Sequence, residues 1–249
     1  MKYWFLVIVF ISNELYAAPF QVGEKLTYQA TWGPFVAADL TFEVASPFQP
    51  DQWRFQGFCR SRGLVETFYP IESRVESRAL KSPFVTTSFY ENRKEGTRRL
   101  HRYMELDFQN KWGLWYNYIS GDIKKLKLKE GSAVDLFSAV YYARSLNWTK
   151  DQTRQINVFY NGKYRPLSFT AQNFRETNVP HWGKQKTFEL VCSEIFQAAT
   201  DVRGKLIVIA TADERHIPLE ARLDVKWGTV NLFLTQAENV TGAPLKYSK

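Results

Sequence analysis

Three histidines, two cysteines and one adjacent pair of carboxylates are the side chains here with the most obvious capacity for chemistry. His101, His181 and His216 could bind a metal or relay a proton. None stands at a metal-ligand spacing from another His, Cys or carboxylate cluster. His101 lies among Arg98, Arg99 and Arg102, which reads as a solvated surface histidine. His216 follows Asp213-Glu214-Arg215 in a turn, with no nucleophile or oxyanion-forming loop beside it. Asp213 and Glu214 could in principle be acid and base toward a glycan. Neighbours in a strand point to opposite faces, so the pair fits that role only if a turn reorients it. Serine-hydrolase elbows, phosphate-cradling glycine loops and the zinc-protease helix motif are absent from the sequence. The expectation is a non-enzymatic protein without metal or cofactor.

Cys59 and Cys192 leave two readings open. In an oxidising compartment a disulfide between them would tie early strands to late ones. The alternative is a pair of buried thiols acting as small hydrophobes. The first residues speak for the oxidising side. Lys2 precedes an apolar run from Trp4 to Ile11, a polar break follows at Ser12-Asn13-Glu14, and Ala17-Ala18 offers small residues for cleavage. That is the layout of a signal peptide over residues 1–17, and the run is far short of the ~20 apolar residues a membrane span needs. No cysteine follows the run, so a lipid anchor is not expected. The mature chain should be periplasmic or secreted, and soluble.

Two groups of side chains could recognise a partner. The basic cluster Arg93-Lys94 with Arg98, Arg99 and Arg102 flanks a hairpin at Glu95-Gly96. A second, with Lys124, Lys125, Lys127 and Lys129, follows the Gly121-Asp122 turn. Such rows are either a solvated sheet edge that discourages aggregation or a docking patch for an anionic lipid or glycan. The net charge of +8 favours polyanions. For a secreted chain those are envelope lipids and glycans, not nucleic acid. The aromatics are dense: Trp112, Trp115, Tyr116 and Tyr118 fall within one short stretch. They are core, or they line a pocket mouth with Trp32, Trp53 and Trp227.

The elements that would position these residues are strands. Period-two alternation is clearest from Leu219 to Trp227, where Leu219, Ala221, Leu223, Val225 and Trp227 oppose Glu220, Arg222, Asp224 and Lys226. Similar runs cover Leu100–Phe108, Lys25–Trp32, Val36–Val44, Gln52–Arg60, Ile71–Arg78, Gln155–Tyr160, Phe188–Glu194 and Lys205–Ala212. Turns at Gly33-Pro34, Gly121-Asp122 and Asn161-Gly162 separate them. Roughly ten to twelve strands follow from this spacing. One helix is expected at 132–146, capped by Ser132 or Asp135. An aromatic share of 16% supplies a core, and no linker divides the chain. The expected architecture is therefore mainly β: a single antiparallel domain over 18–249, as a β-barrel or a strongly curved wrapped sheet. Its charged faces argue for a barrel with an apolar interior and not for a membrane pore.

Several stretches together resemble a known family. These are Phe20-Gln21-Val22-Gly23-Glu24-Lys25-Leu26-Thr27-Tyr28 with Trp32-Gly33, Gly63 to Pro70 followed by Glu76-Ser77, and the helix segment Asp135 to Arg144. The last is Ala210 to Leu234, with Thr211-Ala212-Asp213, Ile217-Pro218-Leu219 and Trp227-Gly228. In that order they are similar to the domain of unknown function 3108 family. Leu136 stands where that family often has proline. The resemblance implies secreted or periplasmic bacterial proteins with an antiparallel β fold, and it carries no catalytic or binding residues.

The expected function is a bacterial envelope protein sheltering a lipid, an isoprenoid or another amphiphile. Trp32, Trp53, Trp112, Trp115, Tyr116 and Trp227 would be lining residues, and Arg98, Arg99, Arg102, Lys124, Lys125 and Lys127 would steer an anionic group. The alternatives are a surface-interaction protein for envelope assembly and, more distantly, a glycan or lipid hydrolase.

Overall fold

The computed structural model describes residues 18–129, 131–192, 204–225 and 228–245. The expected signal segment, residues 1–17, and Trp227 lie outside the described residues. The chain forms β1 (Lys25–Trp32), β2 (Phe35–Ala45), β3 (Gln52–Ser61), α1 (Gly63–Phe68), β4 (Ile71–Leu80) and β5 (Val85–Glu95). There follow β6 (Arg98–Asp107), β7 (Trp112–Asn117), β8 (Ile123–Lys127), α2 (Leu136–Arg144) and β9 (Thr153–Tyr160). The last are β10 (Lys163–Val179), β11 (Gly183–Cys192), β12 (Leu206–Thr211), β13 (Pro218–Val225) and β14 (Gly228–Glu238).

Among the described residues these strands make one 14-stranded sheet in the order β8-β7-β6-β5-β4-β3-β2-β1-β14-β13-β12-β11-β10-β9. An up-and-down meander ordinarily leaves its first and last strands as edges. Here β1 pairs with β14, from Lys25↔Glu238 to Trp32↔Val230, and the break falls between β8 and β9 instead. The segment leading into α2 enters that break. Val134 bridges Val158 of β9, while the Ala133 carbonyl accepts the Thr86 amide of β5 at 3.2 Å. Arg102 of β6 also reaches Asn161, in the turn between β9 and β10. The sheet is thereby curled into a barrel-like wrap.

Alternation assigns the two faces. Leu26, Tyr28 and Ala30 of β1 are buried, whereas Lys25, Thr27 and Gln29 between them are half-exposed. The outward face carries charge: Glu76 of β4 pairs with Arg54 of β3 at 2.7 Å and with Arg78 at 2.8 Å. Inside, α2 packs against β3, β4 and β9. β3 and β4 are neighbours, but β9 stands at the far end of the sheet order, so all three meet one helix only because the sheet wraps around it. Gly57 of β3 permits the close approach. A Cβ there would stand 2.7 Å from Val75 Cγ2 and 2.8 Å from Phe137 Cζ of α2. Tyr141 stacks on Phe55 with ring centroids 3.9 Å apart and planes at 9°, and Phe20 meets both rings edge-on. Such ring pairs add roughly 0.5–1.5 kcal/mol beyond the area they bury.

The structure departs from the expected elements in identifiable places. The helix is shorter than 132–146, because Asp135 and not Ser132 is its cap. Against the expected ten to twelve strands, the described residues form fourteen. The long β10 was hidden because its register shifts between Gln172 and Arg175, where Asn173 takes φ of 55°, and alternation breaks there. The lysine run at 124–127 belongs to the edge strand β8, which has no apolar row to reveal it. Helix α1 buries none of its residues, so it gave no periodic signal.

Candidate ligand-binding interior and its framework

Helix α2 is held at both ends by buried polar groups. At its start, Asp135 Oδ1 accepts the amides of Phe137 at 2.8 Å and Ser138 at 3.1 Å, a side-chain N-cap. Its Oδ2 accepts from Thr86 Oγ1 at 2.8 Å and from the Ser77 hydroxyl, which also meets Ser138 Oγ. All four side chains are buried. A cap that also bonds β4 and β5 fixes the helix to the sheet as well as starting it.

At the other end, the Arg144 guanidinium lies 3% exposed and grips Glu24, which is 1% exposed. One Arg144 nitrogen bonds Glu24 Oε2 at 3.0 Å and the Pro19 carbonyl at 3.2 Å, while Nε donates to the Arg215 carbonyl at 3.1 Å. The last helical carbonyl, that of Arg144, lies 2.8 Å from His216 Nδ1. A donating Nδ1–H there satisfies an otherwise orphaned helix terminus. Burial lowers the pKa of His216, against the opposing effect of that bond. The imidazole thus caps the helix, and burial favours its neutral form.

Asp213 is tied into the framework in the same way. Asp213 accepts from Thr211 Oγ1 at 2.8 Å and from Arg215 Nε at 3.0 Å. Burial pushes its carboxyl up, but the bonds from Arg215 and Thr211 outweigh this and hold it below the ordinary range. Among the described residues no three His, Cys, Asp or Glu side chains gather into a metal-binding group.

The remaining candidates do not converge on one pocket. Trp53 and Trp115 pack inward against the aromatic cluster around Tyr141, with Lys81 and Lys124 over their outer faces at 4.8 and 5.1 Å. Trp32 stands 43% exposed at one end of the sheet, and Trp112, also 43% exposed, at the other. Tyr116 lies on the outward face in register with Tyr103, beside Tyr118. The cations divide too. Arg98, Arg99, Lys124, Lys125 and Lys127 are exposed. Arg102 is not a docking cation: it points inward, pairs with Glu91 at 2.7 Å and lies over the Tyr160 ring. Its place in β6 shares the parity of Met104 and Leu106, which the arginine-rich context concealed. His101 likewise is not simply solvated, since it stacks on Tyr118 at 4.4 Å and meets Tyr90 Oη at 3.0 Å. Cys59 and Cys192 are not joined by a disulfide. Burial, and secondarily the nearby Asp39, pushes the Cys59 thiol up to about 11, so it stays protonated and unreactive.

Sequence reasoning missed a gradient along the interior wall. On β13 and β14, Leu219 and Leu234 are fully buried near the α2 end. Further along the same inward rows, Ala221, Leu223, Val230 and Leu232 are only half-buried. The helix fills one end of the wrap, and toward the other end the apolar wall is only half-buried. The alternating pattern of these strands marks the inward face but not what lies against it.

The comparisons agree with this architecture. A "Beta-barrel-like Protein of Domain of Unknown Function DUF1849 from Brucella abortus" has a similar fold, with 9% sequence identity and a TM-score of 0.55 over 89% of this chain and 99% of that one. No curated protein matches the chain. The profile of the family described as "Protein of unknown function (DUF3108)" matches residues 27–235. The framework residues Glu24, Ser77, Asp135, Arg144, Thr211 and Asp213 all fall in the stretches that carried the sequence resemblance, which accounts for those stretches as scaffold; the chain belongs to the DUF3108 family.

Proposed function

We propose that the protein is a non-enzymatic component of a bacterial envelope that shelters an apolar or amphiphilic ligand in the end of its interior not occupied by α2. One observation carries this reading: inward-facing Ala221, Leu223, Val230 and Leu232 stay half-buried while Leu219 and Leu234 on the same strands are sealed. An apolar wall facing inward and still wet loses hydration only when something apolar covers it. An acyl or isoprenoid chain supplies that cover without any motion of the framework. The polar groups held around α2 support the same view, because each is committed to a bond that positions the helix. A catalytic role would require one of them to be released.

The test is a titration of the mature chain with a fluorescent polyene fatty acid. Saturable enhancement is expected, and Leu223→Glu should weaken it by more than about tenfold, because a carboxylate in an apolar recess opposes an acyl chain. No binding, or equal binding by Leu223→Glu, would count against a sheltered ligand.

A further inference from the structure

Turns of a meander alternate between its two ends, and those ends differ here. The end bearing the β1–β2, β5–β6 and β7–β8 turns also bears α1. Its tips are apolar: Phe35 is 47% exposed, Leu64 55%, Phe68 81%, Ile119 57% and Ile123 62%. Leu64 and Phe68 are four apart in α1 and so share a face. At the opposite end Phe48 is 65% exposed, but the guanidinium groups of Arg54 and Arg78 cover its ring at 4.4 and 4.5 Å. The exposed Val22 and Trp112 there are isolated.

The apolar tips form a continuous rim. The Arg62 amide at the foot of α1 bonds the Ala37 carbonyl at 2.8 Å. The Gly96 amide in the β5–β6 turn bonds the Pro70 carbonyl at 2.8 Å, and the Tyr118 amide bonds the His101 carbonyl at 2.9 Å. A Cβ on Gly96 would stand 3.1 Å from the Tyr69 ring, so α1 leans on that turn.

Charge on the rim is one-sided. Its carboxylates are largely occupied: Glu66 by Arg60 at 3.2 Å, Asp39 by Arg62 at 3.0 Å, Glu72 by Arg74 at 3.6 Å and Glu95 by Arg93 at 3.8 Å. Asp122 and Asp224 accept from the hydroxyls of Ser120 and Thr229. Among the described residues the exposed cations Lys94, Arg98, Arg99 and Lys125 have no carboxylate within ion-pair distance. Apolar tips set beside unpaired cations fit a surface with anions outside and hydrocarbon beneath. A second copy of the same rim would bring like charges together. We propose that this rim docks the protein on the surface of an anionic lipid leaflet, with α1 inserted at the acyl boundary.

The proposal goes beyond ligand sheltering and does not depend on it. The test is co-flotation of the mature chain with vesicles of phosphatidylcholine containing phosphatidylglycerol, or of phosphatidylcholine alone. Binding is expected to the anionic vesicles only, and to fall as salt rises. Phe68→Ser keeps every charge and touches no buried residue, and it should lower partitioning by about tenfold. Lys94→Glu with Arg98→Glu should abolish it. Trp112→Ser, at the other end, should leave it unchanged. Circular dichroism and thermal melting establish that each variant is folded. Absent binding, equal binding to neutral vesicles, or undiminished binding by folded Phe68→Ser overturns the proposal.

Discussion

At the scale of single residues, the most consequential pair is Arg144 with Glu24. Two nearly unexposed charges repay their desolvation only when every bond is made, and here the arginine also satisfies the Pro19 and Arg215 carbonyls. Removing one partner strands the other. Arg144→Met should cost about 3–5 kcal/mol in urea unfolding of the mature chain. Adding Glu24→Leu to it should recover a large part of that loss. If the two substitutions instead simply add, the pair is not the coupled unit described here. None of this was legible beforehand. Glu24 and Arg144 are 120 positions apart, and each reads alone as an ordinary surface charge. His216 and Asp213 were legible only as chemically capable residues, because a sequence shows which groups can titrate but not which carbonyl or guanidinium they meet.

At the scale of elements, period-two alternation marked most strands, and Asp135 as a capping residue marked α2. What alternation could not show was contact between faces. Gly57 reads as a weak point in a strand, whereas it is the contact that admits Phe137 of α2. Gly57→Ala places a methyl group against Val75 and Phe137, both within 3 Å. A loss of roughly 1–3 kcal/mol is expected in thermal or urea melts. A neutral result would mean that α2 is not seated firmly on β3. Helix α1 shows the opposite limit: an element that buries nothing has no pattern to detect, and its apolar residues make sense only as part of the rim.

At the scale of the whole molecule, the antiparallel wrap was legible from strand spacing and turn chemistry. Its closure was not, since pairing β1 with β14 is a long-range choice that no local signal encodes. Closure there moves the break to β8 and β9, where the segment before α2 crosses into the interior. One end of the wrap is therefore filled and locked. The other keeps an apolar wall and bears a rim of apolar tips and unpaired cations. Of the aromatic candidates among the described residues, Trp32 pairs with Val230 beside this wall, while Trp53, Trp112, Trp115 and Tyr116 are spread over the core, the outer face and the other end, because aromatics report burial in general. Aliphatic side chains on β13 and β14 line the less buried part beside Trp32.

The central claim is that this less buried part holds a ligand, and the most direct measurement is native mass spectrometry of the protein purified from its host, followed by organic extraction. The account predicts a protein peak carrying one amphiphile, displaced to the bare mass in Leu223→Glu. A bare mass for the unaltered protein under gentle ionisation, with nothing in the extract, would contradict it.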